Sequence, residues 1–321
     1  DLQQLFPRDK KAKRNTDDFL TTNKNSLNLD PISLIPGLSS IVKNTKKFIL
    51  SDTLDDYQSP INIINLIIKS EELLVECIYQ LIPLIDTTKS TTSVIQSWKL
   101  MMLVIGYFHI PEPHSKYLRD FLISAAGHDE VDFEIQYRAK ICLCRLFSEH
   151  QLKIKWTGDE QNYIKSAMSM TQLLGISLAE IFVKEEYKRL RSTDYDNGAY
   201  KQINKSISFG DKKEDGEEIP VLVPIVLKKI VKALVSMNGI KHEGIFRLSG
   251  DKLTENQTIE DINNGYWEEP STMADTLASI TKRLIRDLQD PLIPDYIISM
   301  FKKESPPYLI IQQVNQLPSQ N

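Results

Sequence analysis

Cysteine, histidine and long apolar runs are scarce in this chain, and each shortage removes a class of function. The three cysteines, Cys77, Cys142 and Cys144, make neither an even disulfide set nor a metal-spaced cluster, which suits a reducing compartment where a thiol packs as a small hydrophobe. The five histidines are scattered, no nucleophile and base stand at a recognisable spacing, and no Gly-Lys-Ser/Thr phosphate loop occurs. An enzyme acting on its own substrate, or a bound metal or nucleotide, therefore finds no support. The longest apolar run, Trp98 to Phe108, falls well short of the roughly 20 residues that span a bilayer and predicts a core helix instead. The cysteine usage carries the expectation of a cytoplasmic protein, and the short apolar runs the expectation of no transmembrane segment. A net charge of -4 removes the electrostatic motive for gripping nucleic acid or an anionic membrane with the whole surface.

What is present is helical pattern. At 41% hydrophobic and 26% charged, the 321 residues have the composition of a globular protein of about two domains. Residues 1–30 mix charge with Asn and Thr and cannot bury enough apolar area to offset ordering, which predicts a disordered tail. Its cluster of Lys10, Lys11, Lys13 and Arg14 is solvated charge, or else a localisation signal or lipid contact. From 31 to about 170 the pattern is helical throughout, with Tyr117, Leu118, Phe121, Leu122 and Ala125 at the spacing of one apolar helix face and "IPEPHS" as a break between helices. A polar stretch at about 185–218 is too long for an ordinary connection and predicts a loop or insertion. Helix then resumes in "IPVLVPIVLKKIVKALVSMNG": Val226, Ile230, Leu234 and Met237 share a face, Pro224 is tolerable in the first turn, and Gly239 stands where a left-handed cap would end it. The fold class is all-α.

Directly after that helix comes "HEGIFRLSG", residues 242–250. A loop arginine is most often solvated or salt-bridged. Here Gly244 and Gly250 give backbone freedom on either side, and Ile245, Phe246 and Leu248 are apolar enough to anchor the loop, which would leave Arg247 alone presented outward. Further on, "TLASITKRLIRDLQDPLIP" predicts a helix from about Asp275 to Leu288, with Leu277, Ile280, Leu284 and Leu288 on one side and Lys282 and Arg286 on the other. Like charges at that spacing cost about 0.2 to 0.5 kcal/mol, and Asp287 does not share their face to relieve them. The pair is either a solvated basic face or a contact for a negatively charged partner.

These two blocks, 242–250 and 277–294, closely resemble the GTPase-activating domain of the RhoGAP family. The resemblance implies that Arg247 is an arginine finger inserted into a Rho-family small GTPase of Rac or Rho type. It implies that Lys282 and Arg286 support the finger loop and contact the GTPase, and that Gly244, Phe246 and Gly250 also support that loop. GTP and Mg would belong to the partner, so no cofactor and no metal is expected in this chain, which would be a GTPase activator rather than an enzyme with its own substrate. The closing "QLPSQN", Gln316 to Asn321, is similar to the start of the family's next block, so 171–321 corresponds to about the first two thirds of such a domain. Gln289 stands where the family commonly has proline, a departure expected to loosen the end of the helix.

Upstream, "EELLVECIYQLIPLIDTT", "IQSWKLMMLVIGYFHIPEPHSKYLRDFLISAA" and "YRAKICLCRLF" resemble a MyTH4 domain, placed at 31–170. Glu76, Ile78, Tyr79, Gln80, Trp98, Pro111, Tyr117 and Leu118 fill that family's marks, with Cys77 interrupting the first; Trp98 and Tyr79 are expected in the interior. The order of the two modules is similar to that of the Vilse, or crossGAP, group of Rho regulators. The resemblance implies microtubules or an adaptor protein as partners of the first module, and hence a cytoskeleton-associated location. Lys43, Lys46 and Lys47 lie on one helix, either facing acidic tubulin tails or forming a solvated face. A competing reading is a catalytically weak GTPase-binding scaffold in which the MyTH4 module does the work; Arg247 argues against it.

Overall fold

The computed structural model describes residues 36–51, 57–85, 91–127, 131–152, 160–191, 223–264, 273–300 and 306–314. The tail at 1–30 with its basic cluster, the insertion beyond Arg191 and the Gln316 to Asn321 block lie outside the described residues. Those described are helical with no strand, and they fall into two compact units that divide between Met170 and Thr171.

The first unit runs α1 (Leu38–Ile49), α2 (Gln58–Ile67), α3 (Glu71–Leu81), α4 (Thr92–Tyr107), α5 (His114–Gly127), α6 (Phe133–Leu146) and α7 (Glu160–Met168). Several starts are set by side chains that accept from orphan amides of the first turn: Ser70 from Leu73 N, Thr91 from Val94 N and Asp132 from Glu134 N. Helix α4 is apolar nearly all round and correspondingly buried from Leu100 to Gly106. Trp98 is fully buried and stacks on Phe121 of α5 with ring centroids 6.1 Å apart. Tyr79, by contrast, is half-buried at the margin, because the buried stripe of α3 is Leu73, Leu74, Cys77, Ile78 and Leu81; its hydroxyl lies 2.8 Å from His114 Nδ1. Burial pushes the Cys77 thiol up to about 12, which leaves it inert as a nucleophile. Arg145 of α6 is buried and donates through Nη1 to Met102 O of α4 at 2.6 Å and Ala167 O of α7 at 2.7 Å. One charge thereby ties three helices. Lys43, Lys46 and Lys47 are exposed on α1.

The second unit comprises α8 (Leu178–Arg191), α9 (Ile225–Ser236), α10 (Lys252–Asn264), α11 (Ala274–Arg286), α12 (Asp295–Met300) and α13 (Pro307–Val314). Helix α8 runs seven residues into the stretch expected to be a polar loop from about 185, and this corrects that boundary. Glu185 is buried there because its carboxylate accepts from Ile225 N at 2.8 Å and Val226 N at 2.7 Å, capping α9 from across the chain. Lys184 and Glu180 form a fully buried ion pair at 2.9 Å, and Lys184 Nζ also donates to Gln172 O. Gln289 does not loosen the exit of α11: it is buried, and its amide donates to Ile176 O at 3.2 Å, a bond that proline could not make.

Candidate functional site

Helix α9 buries Val226, Ile230 and Leu234, as its periodicity requires, while Met237 lies 42% exposed just past its end. The left-handed residue that turns the chain is Asn238 (φ 54), not Gly239. Gly239 is needed for space instead, since a Cβ there would lie 2.8 Å from Leu234 O. A single 3-10 turn, Gly239–Lys241, leads into the arginine loop.

Gly244 adopts φ +78 and closes a tight turn in which Arg247 N and Leu248 N both donate to its carbonyl, at 2.7 and 2.9 Å. Arg247 is exposed, and its side chain folds back over Gly244: a Cβ built there would lie 3.5 Å from its Nε and Nη2. Among the described residues its guanidinium makes no hydrogen bond and no ion pair. Phe246 and Leu248 are 51% and 43% exposed, so they do not anchor the loop as their apolarity suggested. The loop is anchored by polar ties to one face of α11. His242 Nδ1 lies 3.2 Å from Asp275 Oδ1, Gly250 N donates to Ser279 Oγ at 3.0 Å, and Lys282 Nζ donates to Phe246 O at 2.8 Å. Asp275, Ser279 and Lys282 are at i, i+4 and i+7, one stripe of the helix. Gly250 is needed because α11 comes so close that a Cβ would sit 2.5 Å from Thr276 Cα; its role is approach rather than backbone freedom.

The cations of α11 are also differently employed than same-face counting implied. Arg286 is exposed, but its Nε donates to Asp287 Oδ1 at 2.8 Å, and that hydrogen bond holds its pKa above the ordinary arginine value. Asp287 stands at the C-cap with φ -89, ψ 7, and its other oxygen makes an ion pair with Arg283 Nε at 3.4 Å. Arg283 in turn reaches Glu255 of α10 at 3.2 Å. After Gly250 the chain enters α10 through Asp251, which accepts from both the amide and the hydroxyl of Thr254; those bonds hold its carboxyl below the usual range. Sequence reasoning missed His242, Asp275 and Ser279. The four-residue spacing of Asp275 and Ser279 was legible, but their partners lie in the preceding loop.

The RhoGAP domain model matches residues 224–320, which contain both the arginine loop and α11, and the MyTH4 domain model matches residues 61–155 in the first unit. The chain carries a MyTH4 domain followed by a RhoGAP domain. Similar curated proteins are the Rho GTPase-activating protein gacV of Dictyostelium discoideum, 37% identical over 87 residues (26% of this chain and 16% of the relative), and Rho GTPase-activating protein 25 of Mus musculus, 37% identical over 79 residues (23% and 12%). Rho GTPase-activating protein 4 of Homo sapiens is 29% identical over 99 residues, 29% of this chain and 10% of the relative. The matched part thus spans under a fifth of each of these relatives. No solved structure matches this chain. Among the described residues no group of three His, Cys, Asp or Glu could hold a metal ion, and no helix is long and apolar enough to cross a membrane.

Proposed function

We propose that the RhoGAP domain accelerates GTP hydrolysis by a Rho-family small GTPase of Rac or Rho type, with Arg247 inserted in trans into the partner's nucleotide site. The observation that carries the reading is an exposed guanidinium with no hydrogen bond or ion pair among the described residues, on a loop hydrogen-bonded to α11 at Phe246 O and Gly250 N. As water attacks the γ-phosphorus and the bond to the bridging oxygen breaks, charge builds on the γ-phosphoryl oxygens and the leaving GDP. A planar donor fork held there stabilises that charge in a site closed to water. The nucleotide and Mg belong to the partner, which performs the chemistry; this chain activates it. Lys282 secures the loop, while Arg286, outermost on α11, is the cation offered to the partner surface.

Single-turnover GTP hydrolysis by a Rac-type and a Rho-type GTPase tests this. The whole chain should accelerate hydrolysis, Arg247→Ala should abolish most of the effect while binding largely persists, and Arg247→Lys should recover little, since an ammonium lacks the rigid fork. Fingers of this kind contribute about 10³ to 10⁵ in rate. Equal rates with wild type and Arg247→Ala would leave a GTPase-binding scaffold. For the MyTH4 domain the reading is a cytoskeletal or adaptor contact, supported by the exposed Lys43, Lys46 and Lys47 on α1. Salt-sensitive co-sedimentation with microtubules tests it; failure to pellet at low salt removes that partner.

A further inference from the structure

We propose that a hollow among α1, α4 and α7 of the first unit binds the C-terminal residue of a partner polypeptide, with Gln96 taking its last peptide group and Lys99 and Lys165 its free carboxylate. The inference gives a chemistry to the adaptor contact proposed for this unit and rests on that reading.

Helical spacing places the lining. Gln96 and Lys99 are one turn apart on α4, and Lys165 and Met168 one turn apart on α7, so each helix gives the hollow a single stripe. Phe48 from the last turn of α1 and Ser169 just past α7 add to the wall. The cavity volume is ≈ 170 Å³. An engineered cavity of about 150 Å³ admits benzene, so this one suits a single residue rather than a folded surface.

Gln96 is the decisive group. It is 1% exposed, and neither Oε1 nor Nε2 has a hydrogen-bond partner among the described residues. Buried side-chain polar atoms are mostly paired, because an unmade bond leaves the cost of desolvation uncompensated. Here an acceptor and a donor are both unmet on the wall of a cavity. A ligand that satisfies the two must donate and accept from neighbouring atoms, and the last residue of a polypeptide does so: its N–H donates to Oε1 while a carboxylate oxygen accepts from Nε2.

The other lining residues select the same ligand. Lys99, half-buried, and Lys165, exposed, bring two ammonium groups, and among the described residues the lining holds no carboxylate, so an anion is favoured. Phe48 and Met168, both buried, offer the last side chain apolar walls. An internal peptide group would satisfy Gln96 but bring no charge to the lysines. An acidic side chain would bring the charge but hold its own peptide N–H several bonds away. Phe48, Lys165, Met168 and Ser169 lie outside the span 61–155 that the MyTH4 model matches, so the hollow is built largely by the flanking helices α1 and α7.

The test is fluorescence anisotropy with the whole chain and a Gly/Ser peptide, labelled at its N-terminus and ending in leucine with a free carboxylate. Saturable binding is expected, weakened about tenfold or more by amidating the C-terminus or by Gln96→Leu, and about three- to tenfold by Lys99→Met or Lys165→Met, each of which should also flatten the salt dependence. An amidated peptide carrying an internal glutamate should bind no better than the amidated parent, and N-acetyl-leucine should compete. Equal binding of free and amidated peptides, or tighter binding of the internal glutamate, would overturn the proposal. Binding of N-acetyl-leucine without the peptide would overturn the polypeptide partner and leave a small N-acyl acid in its place. Gln96→Leu keeps the volume and removes the unmet polar atoms, so its denaturant midpoint should equal or exceed that of wild type; a lower midpoint makes Gln96 a structural hydrogen-bonding residue and sinks the idea. The same variant leaves Lys43, Lys46 and Lys47 in place, so loss of peptide binding and failure to pellet with microtubules are separate results.

Discussion

Lys282 Nζ donates a 2.8 Å hydrogen bond to the carbonyl of Phe246, the residue immediately before Arg247. The cation that the resemblance assigned to loop support is bound to the backbone of its own arginine loop. Hydrogen bonds to charged groups are worth about 1.5 to 3 kcal/mol when well shielded, and less here because the contact is exposed.

Lys282→Met keeps the aliphatic stem and removes this bond. The expected outcome is a fall of about three- to tenfold in the saturating rate of GTP hydrolysis, with a smaller change in the concentration that half-saturates it. A variant that binds more weakly yet hydrolyses at full rate when saturated would instead place Lys282 directly against the GTPase.

The helices were legible because their signal is local. Leu277, Ile280 and Leu284 of α11 are buried, and its observed span ends within two residues of the expected one. What could not be read involves partners distant in sequence or geometry at a helix end. Asp287 lies one residue past α11, where helical face counting no longer applies, and the turn there swings its carboxylate onto Arg286 and Arg283. The apolarity of Phe246 and Leu248 predicts burial, but this loop is fixed by polar groups and a glycine contact that hydrophobicity does not encode. Glu185 had the composition of a surface loop; the two amides it caps lie some forty residues ahead. The arginine loop and the residues that support it, Lys282, Phe246 and Gly250, were recognisable as a pattern, but the atoms through which they act were not.

Gly250→Ala should damage the loop more than its small size suggests. The new Cβ would meet Thr276 Cα at 2.5 Å and Thr276 N at 2.8 Å, main-chain atoms of α11 that cannot rotate away. Either the loop lifts from the helix, breaking the Gly250 to Ser279 bond, or α11 shifts. Overpacking of this kind costs about 1 to 3 kcal/mol, so the variant should unfold at lower denaturant and lose most of its GTPase acceleration. Gly106→Ala in the first unit is the comparison: its closest encounter is the side-chain tip of Leu152 at 2.7 Å, and GTPase acceleration should survive.

Glu185 links stability to pH in a definite direction. Burial pushes its carboxyl above the usual carboxylate range, opposed by the Val226 and Ile225 amides and by Lys188 and Lys228. Because the folded value is the higher one, folding favours the protonated form. The stabilisation is fully present below the unfolded value of about 4.3 and is lost as pH rises through the folded value. Glu185→Gln carries no charge to desolvate, so wild type measured against this variant should gain stability as pH falls from 7 towards 4. Glu185→Ala leaves both amides of α9 without an acceptor and should cost about 1 to 2 kcal/mol at neutral pH. Denaturant midpoints of the chain at several pH values measure both; a wild-type-minus-Gln difference independent of pH would show that the carboxylate is not desolvated.

Lys184 and Glu180 pose the sharper energetic question, since both side chains are wholly buried and 2.9 Å apart on α8. Desolvating two charges consumes most of what their attraction returns, so the pair as a whole contributes little net stability, whereas either partner left alone contributes a large penalty. Lys184→Met removes the cation from the buried Glu180 carboxylate and should cost about 3 to 5 kcal/mol, with a smaller loss at low pH where the carboxyl is neutral. Adding Glu180→Leu removes the stranded charge and should recover most of that loss. A residual deficit of about 1 kcal/mol is expected, because Gln172 O then lacks the donor that Lys184 Nζ supplies at 3.1 Å. The unfolding free energies of the single and double variants close the cycle. If the double variant is as unstable as the two single ones added together, the side chains act independently and the account of a stranded charge fails.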